Sequence, residues 1–262
     1  MNQNSDYSLL QHVPTVLRAR GYRLYTKSGQ RLVDLWLNGG AAILGHTPTN
    51  KLRELKNTAS RGLYAPFPHF MEARFLKALS KLLPGHSFRI FASPPPELVT
   101  LFKTGAAKLW RPFTSHTENQ TANTPLLILV LQGIQVWRDG LPHGLCVVAA
   151  LSENSLEKLP AGDTLPPLLL AVAARGVYDV IASPQRANPS LPRVAKALQN
   201  SRWERNGIYL TLKNETNADE WTTLFKQFLD AGFLLPPNQC HPLVLPGELS
   251  DGEDAKLAGV LG

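Results

Sequence analysis

Residues 126–151 constrain the fold more tightly than any other part of the chain. Leu126–Leu131 (Leu-Leu-Ile-Leu-Val-Leu) is an unbroken apolar run of strand length, and Leu145–Leu151 is a second β-rich run. Strands without polar alternation are buried on both faces. Between them lies Gly133–Gly144, a polar, glycine-bounded turn reading Gly-Ile-Gln-Val-Trp-Arg-Asp-Gly-Leu-Pro-His-Gly. The pattern predicts an α/β protein, and in such folds strand ends hold chemically active loop residues rigidly. If this loop once bore a reactive side chain, Gln135 now occupies its position. A carboxamide neither attacks a carbonyl nor carries a proton at neutral pH.

At 262 residues the chain can bury one large core or two small ones. Its 21 prolines fit many short connections. Cys146 and Cys240 are far apart and have no metal-ligand spacing, so structural zinc and a disulfide framework are not expected. His46, His69, His86, His116, His143 and His241 likewise show no metal spacing. The chain has no apolar leader and no window of membrane-spanning length, so a soluble cytoplasmic protein is expected. Residues 1–115 carry 16 Lys/Arg against 5 Asp/Glu, whereas residues 116–262 carry 11 against 15. That asymmetry could serve an acidic partner or nucleic acid. Lys51, Arg53, Lys56 and Arg61 read instead as the solvated face of a helix, and no aromatic-interleaved basic strip accompanies them. The five tryptophans, widely spaced, read as packing residues.

In order, the chain reads as follows. A β-hairpin turns at Ser28-Gly29, and a glycine-rich connection follows at Leu37–His46. A helix runs from Pro48 to Arg61. The loop Leu63–His69 leads into an amphipathic helix over Phe70–Leu83, with Phe75, Leu76, Leu79, Leu82 and Leu83 on one face. Phe88–Ala92 is a strand, and a helix runs from Glu97 to Trp110. Residues 111–125 form a surface loop. After the two buried strands come a helical turn at Glu153–Leu159, an apolar helix at Pro167–Ala182 and a linker at Pro184–Pro192. The remainder reads as helix (Val194–Arg202), strand (Gly207–Leu212), helix (Glu220–Ala231), strand (Phe233–Leu235) and a last helix after Ser250.

This order of pieces resembles the class III aminotransferases, the pyridoxal-phosphate family that includes glutamate-1-semialdehyde aminomutase. Lys27-Ser-Gly-Gln-Arg-Leu-Val-Asp-Leu is similar to the family's opening "DG…yiD" segment, and Ala42-Ile-Leu-Gly-His to its "ilGH" loop. Tyr64-Ala-Pro and the helix with Glu72 fit the stretch before the first large-domain strand. Phe88-Arg-Ile-Phe-Ala-Ser is similar to the strand entering the "SGTEA" phosphate turn. Gly133–Gly144 resembles the "GKxxGGGlPvG" loop of the Schiff-base lysine. Pro167–Val180 fits the "NPla.Aa" helix, and Ala231-Gly-Phe-Leu-Leu-Pro-Pro the "GvylpPs" segment. The resemblance implies a truncated PLP-transferase-like α/β fold. A reduced mixed sheet would fill a central domain (63–192), and the two termini (1–62 and 193–262) would form a small α+β domain. Phe88–Ala92, Leu126–Leu131 and Leu145–Leu151 would make a three-stranded remnant. Leu126–Leu131 would then be an apolar sheet edge needing cover from the 111–125 loop, a twin subunit or another protein.

The departures from the family pattern bear on function. At the phosphate turn Ser93 is followed by Pro94, Pro95 and Pro96, and proline has no N–H to offer an anion. Gln135 stands where the lysine would be and cannot form an imine. The acidic strand that holds the pyridine nitrogen has no room between Arg111 and Pro125. The resemblance therefore implies a non-catalytic relative with no bound cofactor, acting as a binding or regulatory homodimer, or as a heterodimer with a related aminotransferase. The alternative is a shortened aminotransferase or aminomutase that binds pyridoxal phosphate through another lysine, Lys158 being nearest in sequence. Two further readings come from the residues alone. Ser93 is a nucleophile without a recognisable base, better read as a helix cap. His143 with Asp139 could be a residual acid–base pair, but reads first as a pair on a surface loop.

Overall fold

The computed structural model describes residues 8–115, 126–133, 135–214 and 216–262. In chain order the strands and helices begin with β1 (Val16–Arg20), β2 (Arg23–Thr26) and β3 (Arg31–Asp34), then α1 (Thr49–Ala59) and α2 (Met71–Leu82). They continue with β4 (Ser87–Phe91), α3 (Pro96–Lys103), β5 (Ala107–Trp110), β6 (Leu126–Leu129), β7 (Val136–Arg138), β8 (Leu141–His143) and β9 (Cys146–Ala150). Then come α4 (Glu153–Leu156), α5 (Pro167–Ile181), α6 (Pro192–Leu198), β10 (Trp203–Asn206) and β11 (Tyr209–Leu212). The chain closes with α7 (Ala218–Asp230), β12 (Phe233–Leu234), β13 (Leu243–Val244) and α8 (Asp251–Leu261).

The chain divides into two compact units. The first comprises residues 1–47, 113–115 and 185–262; the second comprises 48–112 and 116–184. Residues 48–62, assigned to the small domain from sequence, belong to the second unit because α1 packs along α5.

In the second unit the sheet order is β4-β9-β6-β5, with β9 antiparallel to β4 and β6, and β5 parallel to β6. The apolar runs are buried on both sides, as their composition requires. Leu127, Leu129, Val147 and Ala149 face a core shared with Phe75 and Leu79 of α2 and Ala173 and Val177 of α5. Leu126, Ile128, Cys146 and Val148 face a second core with Leu98 of α3 and Leu156 of α4. Gly176 permits the close fit of α5, because a Cβ there would lie 1.7 Å from the Gln132 carbonyl oxygen.

Two readings of this region are corrected. The helix expected to run from Glu97 to Trp110 ends at Lys103, and Gly105, at φ +77°, turns the chain into β5. β5 then covers the β6 edge, so among the described residues the sheet has four strands and not three. The new edge strand carries the exposed Lys108, a charge that discourages further pairing. At the other edge, Asp163 donates its backbone N–H to the Ile90 carbonyl at 2.8 Å, and its carboxylate accepts from Ala92 N–H at 2.8 Å.

In the first unit, β1-β2-β3-β12 form one sheet and β10-β11-β13 another. Asp34 ends β3 by accepting from the backbone of Trp36 and Leu37 and by meeting His46 Nε2 at 2.7 Å. The glycine-rich connection starts with four successive left-handed residues, Leu37 to Gly40. Two capping boxes, Asn217 with Glu220 and Ser250 with Glu253, start α7 and α8. β10, unread in the sequence, pairs with β11 across Gly207. Phe113–Ser115 docks on that turn: Ile208 N–H donates to the Phe113 carbonyl, and Ser115 N–H donates to the Asn206 side chain.

Candidate functional site

Within the stretch read as a polar turn, Gly133–Gly144, residues 136–143 form a β-hairpin. β7 and β8 pair antiparallel, and Asp139 and Gly140 make the two-residue turn with φ +51° and +75°. Asp-Gly is a strong signal for such a turn, because both central residues need positive φ. Trp137 is buried, and the buried Arg111 guanidinium lies over its ring, 5.5 Å from the centroid.

Gln135 enters this hairpin with 3% of its surface exposed. Its Oε1 accepts from Leu131 N–H at 3.2 Å. Its Nε2 donates to the carbonyls of Leu129 at 3.3 Å and Leu145 at 3.0 Å. β6 and β9 pair at Leu127↔Ala149 and Ile128↔Val148, and the same register would set Leu131 opposite Leu145. There the strands separate, and the carboxamide bridges the gap as a surrogate peptide group. One side chain serves both strands because glutamine carries a donor and an acceptor together.

Ser93 follows β4 at its carboxyl end and is exposed. It does not cap α3. Pro95 is the N-cap residue, no side chain caps the helix, and Pro96 opens it. His143, 50 residues away on β8, places Nδ1 3.3 Å from Ser93 Oγ. Partial burial lowers the His143 pKa, the Arg138 charge lowers it further, and Asp139 opposes both. The imidazole is therefore neutral near pH 7 and can accept from or donate to the serine. The sequence reading had paired His143 with Asp139 and found no base for Ser93. The structure brings serine and histidine together, and the Asp139 charge acts on the histidine from the hairpin turn.

Lys158 is exposed beyond α4. Lys51, read as part of a solvated face, is half-buried on α1, and that burial lowers its pKa against the opposing pull of Asp179 on α5. Arg53, Lys56 and Arg61 are exposed, as expected. Trp110, Trp137, Trp203 and Trp221 are buried packing residues. Among the described residues no group of His, Cys, Asp and Glu is placed to hold a metal ion. Among them too, no single helix is long and apolar enough to cross a membrane. One surface feature went unread. Tyr64, Phe67 and Phe70, in the loop before α2, are 61%, 54% and 62% exposed.

With the geometry in hand, the fold can be placed. It is the PLP-transferase fold of class III aminotransferases, in a chain shorter than those enzymes. Ornithine δ-aminotransferase of Plasmodium falciparum superposes with a TM-score of 0.68 at 10% identity, covering 95% of this chain and 92% of that one. An omega-transaminase from Sphaerobacter thermophilus gives 0.66 at 10% (95% and 90%). Acetylornithine aminotransferase from Elizabethkingia anophelis gives 0.63 at 12% (95% and 92%). Identities this low establish the fold and no activity. No family model matches the chain. In sequence it is similar to an uncharacterised protein of Treponema pallidum, 28% identical over 91% of both chains. It is also similar to one of Borreliella burgdorferi, 24% identical over 95% of this chain and 90% of that one.

Proposed function

We propose that this chain is a non-catalytic protein on an aminotransferase fold, working as a cytoplasmic binding or regulatory dimer. The observation that carries the reading is the commitment of Gln135. The residue at the lysine position of the resemblance is buried, and its carboxamide is spent on three backbone groups of the strands around it. A side chain so bound is structural. The residues present also do not fit pyridoxal phosphate. Pro94, Pro95 and Pro96 withhold three N–H groups from an anion, and Ser93 Oγ is engaged by His143.

The association surface is the loop bearing Tyr64, Phe67 and Phe70. At 150–250 Å² for a whole aromatic side chain, it exposes about 300–400 Å² of apolar surface, the size of patch that marks an interface on a monomer. A stable interface needs about 800 Å² per partner, so this loop would be its centre. The partner is a second copy or a related aminotransferase chain.

The test combines cofactor titration, borohydride trapping and light scattering on one sample. The reading expects no stoichiometric trapped adduct and a molar mass twice the 28.8 kDa of one chain, or one chain plus a co-purifying aminotransferase. Phe67→Ser with Phe70→Ser should return the mass to that of one chain. A stoichiometric imine, mapped by mass to any lysine and to the half-buried Lys51 above all, would restore the enzymatic reading.

A further inference from the structure

The first unit carries a charged face that the preceding reading does not use. Residues directly opposite one another on paired antiparallel strands point to the same side of a sheet. Across β1, β2 and β3, Arg18 pairs with Tyr25 and Tyr25 with Arg31, and in the next row Arg20 pairs with Arg23. Read along the chain these residues are scattered; the strand register gathers four arginines around a tyrosine on one face. The other face of β2, Tyr22, Leu24 and Thr26, is buried. Arg18, Arg20 and Arg31 are exposed, and Arg23 and Tyr25 are half-buried.

Two of these arginines have counter-charges and two do not. Arg23 is bonded to Glu253 and lies 3.6 Å from Glu248, and Arg31 lies 3.3 Å from Glu253. Among the described residues neither Arg18 nor Arg20 meets a carboxylate. Arg18 lies over the Tyr25 ring, 4.3 Å from its centroid. Arg20 lines an open cavity of about 280 Å³ with Arg23, Tyr25, Thr47 and Glu248. Glu248 repels an anion there, which leaves the Arg18 and Arg20 side for a phosphate. A guanidinium stacked on a tyrosine presents a plane to a third flat group, and unpaired bases stack on arginine planes as well as on aromatic rings. An acidic peptide would use the charges and gain nothing from the stack. A duplex keeps its base faces inside its own stack.

We propose that this face binds single-stranded nucleic acid, with a base stacked on the Arg18–Tyr25 pair and a neighbouring phosphate on Arg20. An aromatic platform beside basic side chains is the usual construction for binding that tolerates many sequences. The inference goes beyond the non-catalytic reading and shares no residue with it.

The probes are fluorescent oligothymidylate and oligouridylate of about ten nucleotides, followed by anisotropy on the full-length protein. Binding in either arm supports the proposal, and the two arms separate DNA from RNA. Affinity should fall as salt rises, and Arg20→Ala should cut the slope of log K against log salt by about 0.7, one phosphate contact. Tyr25→Leu should weaken binding about tenfold, within the worth of one stacked base, and keep the slope. Lys56→Ala, which removes one charge from the exposed side of α1, should change neither. If Tyr25→Leu fails to fold, Arg18→Ala, at an exposed position, tests the same stack. No binding to either oligonucleotide at low salt would overturn the proposal. So would an unchanged affinity in Arg20→Ala or Tyr25→Leu, or an equal loss in Lys56→Ala. Displacement of the strand by oligoglutamate at matched charge, or by phosphatidylserine vesicles, would overturn it in favour of an acidic peptide or a membrane surface.

Discussion

Placing a lysine at position 135 should damage the fold. In Gln135→Lys the new ammonium can still donate toward the Leu129 and Leu145 carbonyls, but nothing accepts from Leu131 N–H. An orphaned buried N–H costs about 1–3 kcal/mol. The ammonium also replaces a side chain that is only 3% exposed. Burial of that degree depresses a lysine pKa by about three units from its ordinary value near 10.4, which is about 4 kcal/mol at pH 7. The variant should therefore lose about 5–7 kcal/mol at neutral pH. The sign with pH is fixed by linkage. The folded-state pKa lies below the unfolded one, so the unfolded state binds more protons, and stability recovers as pH rises from about 7.4 to about 10.4. Gln135→Met, close in length but apolar, orphans all three backbone groups and should lose a comparable amount with no such recovery. Urea unfolding at pH 7 and pH 9.5 distinguishes the two. A Gln135→Lys protein within 1 kcal/mol of the parent at pH 7 would show the side chain reaching water, and the argument from its burial would fail.

Three further outcomes follow from local geometry. Gly176→Ala sets a methyl group 1.7 Å from the Gln132 carbonyl and should cost about 3 kcal/mol, whereas Gly259→Ala on α8, with nothing within 4 Å, should gain about 0.5–1 kcal/mol; thermal melts of both variants check this. The Arg23 guanidinium, bonded to both Glu253 oxygens, lowers that carboxyl from 4.5 to about 2. Its stabilisation is complete above pH 4.5 and lost as pH falls through about 2, so Glu253→Gln should flatten the acid limb of a stability–pH curve in that window. Cys240 is exposed, while burial pushes the Cys146 thiol up to about 12. A thiol reagent should titrate one cysteine in the native protein and two in urea.

The legible part of the fold was the part written in local periodicity. The face of α2, the apolar helix α5 and the two-face burial of β6 and β9 were all fixed by side-chain spacing. The missed strand β5 shows where that reading stops. Ala107–Trp110 has an ordinary helical composition, and what makes it a strand is the unpaired edge of β6, a partner further along the chain. Propensity there was overridden by an open row of backbone donors and acceptors. The hairpin is the opposite case. Asp139-Gly140 between two short β-prone stretches was readable, and the expectation of a functional loop masked it.

The candidate site divides the same way. That Gln135 cannot do lysine chemistry follows from its functional group and needs no structure. What Gln135 does instead depends on Leu129, Leu131 and Leu145 converging on it, and no spacing in the sequence encodes that. Ser93 and His143 likewise met only through the β4–β9 pairing and the hairpin that precedes β9. The two facts at position 135 belong together physically. A lysine there could bridge carbonyls but would leave Leu131 N–H bare, whereas glutamine closes both strands while remaining neutral. A carboxamide at a point where two buried strands part thus supplies stability that an amine would not, and Gln135→Lys measures how much.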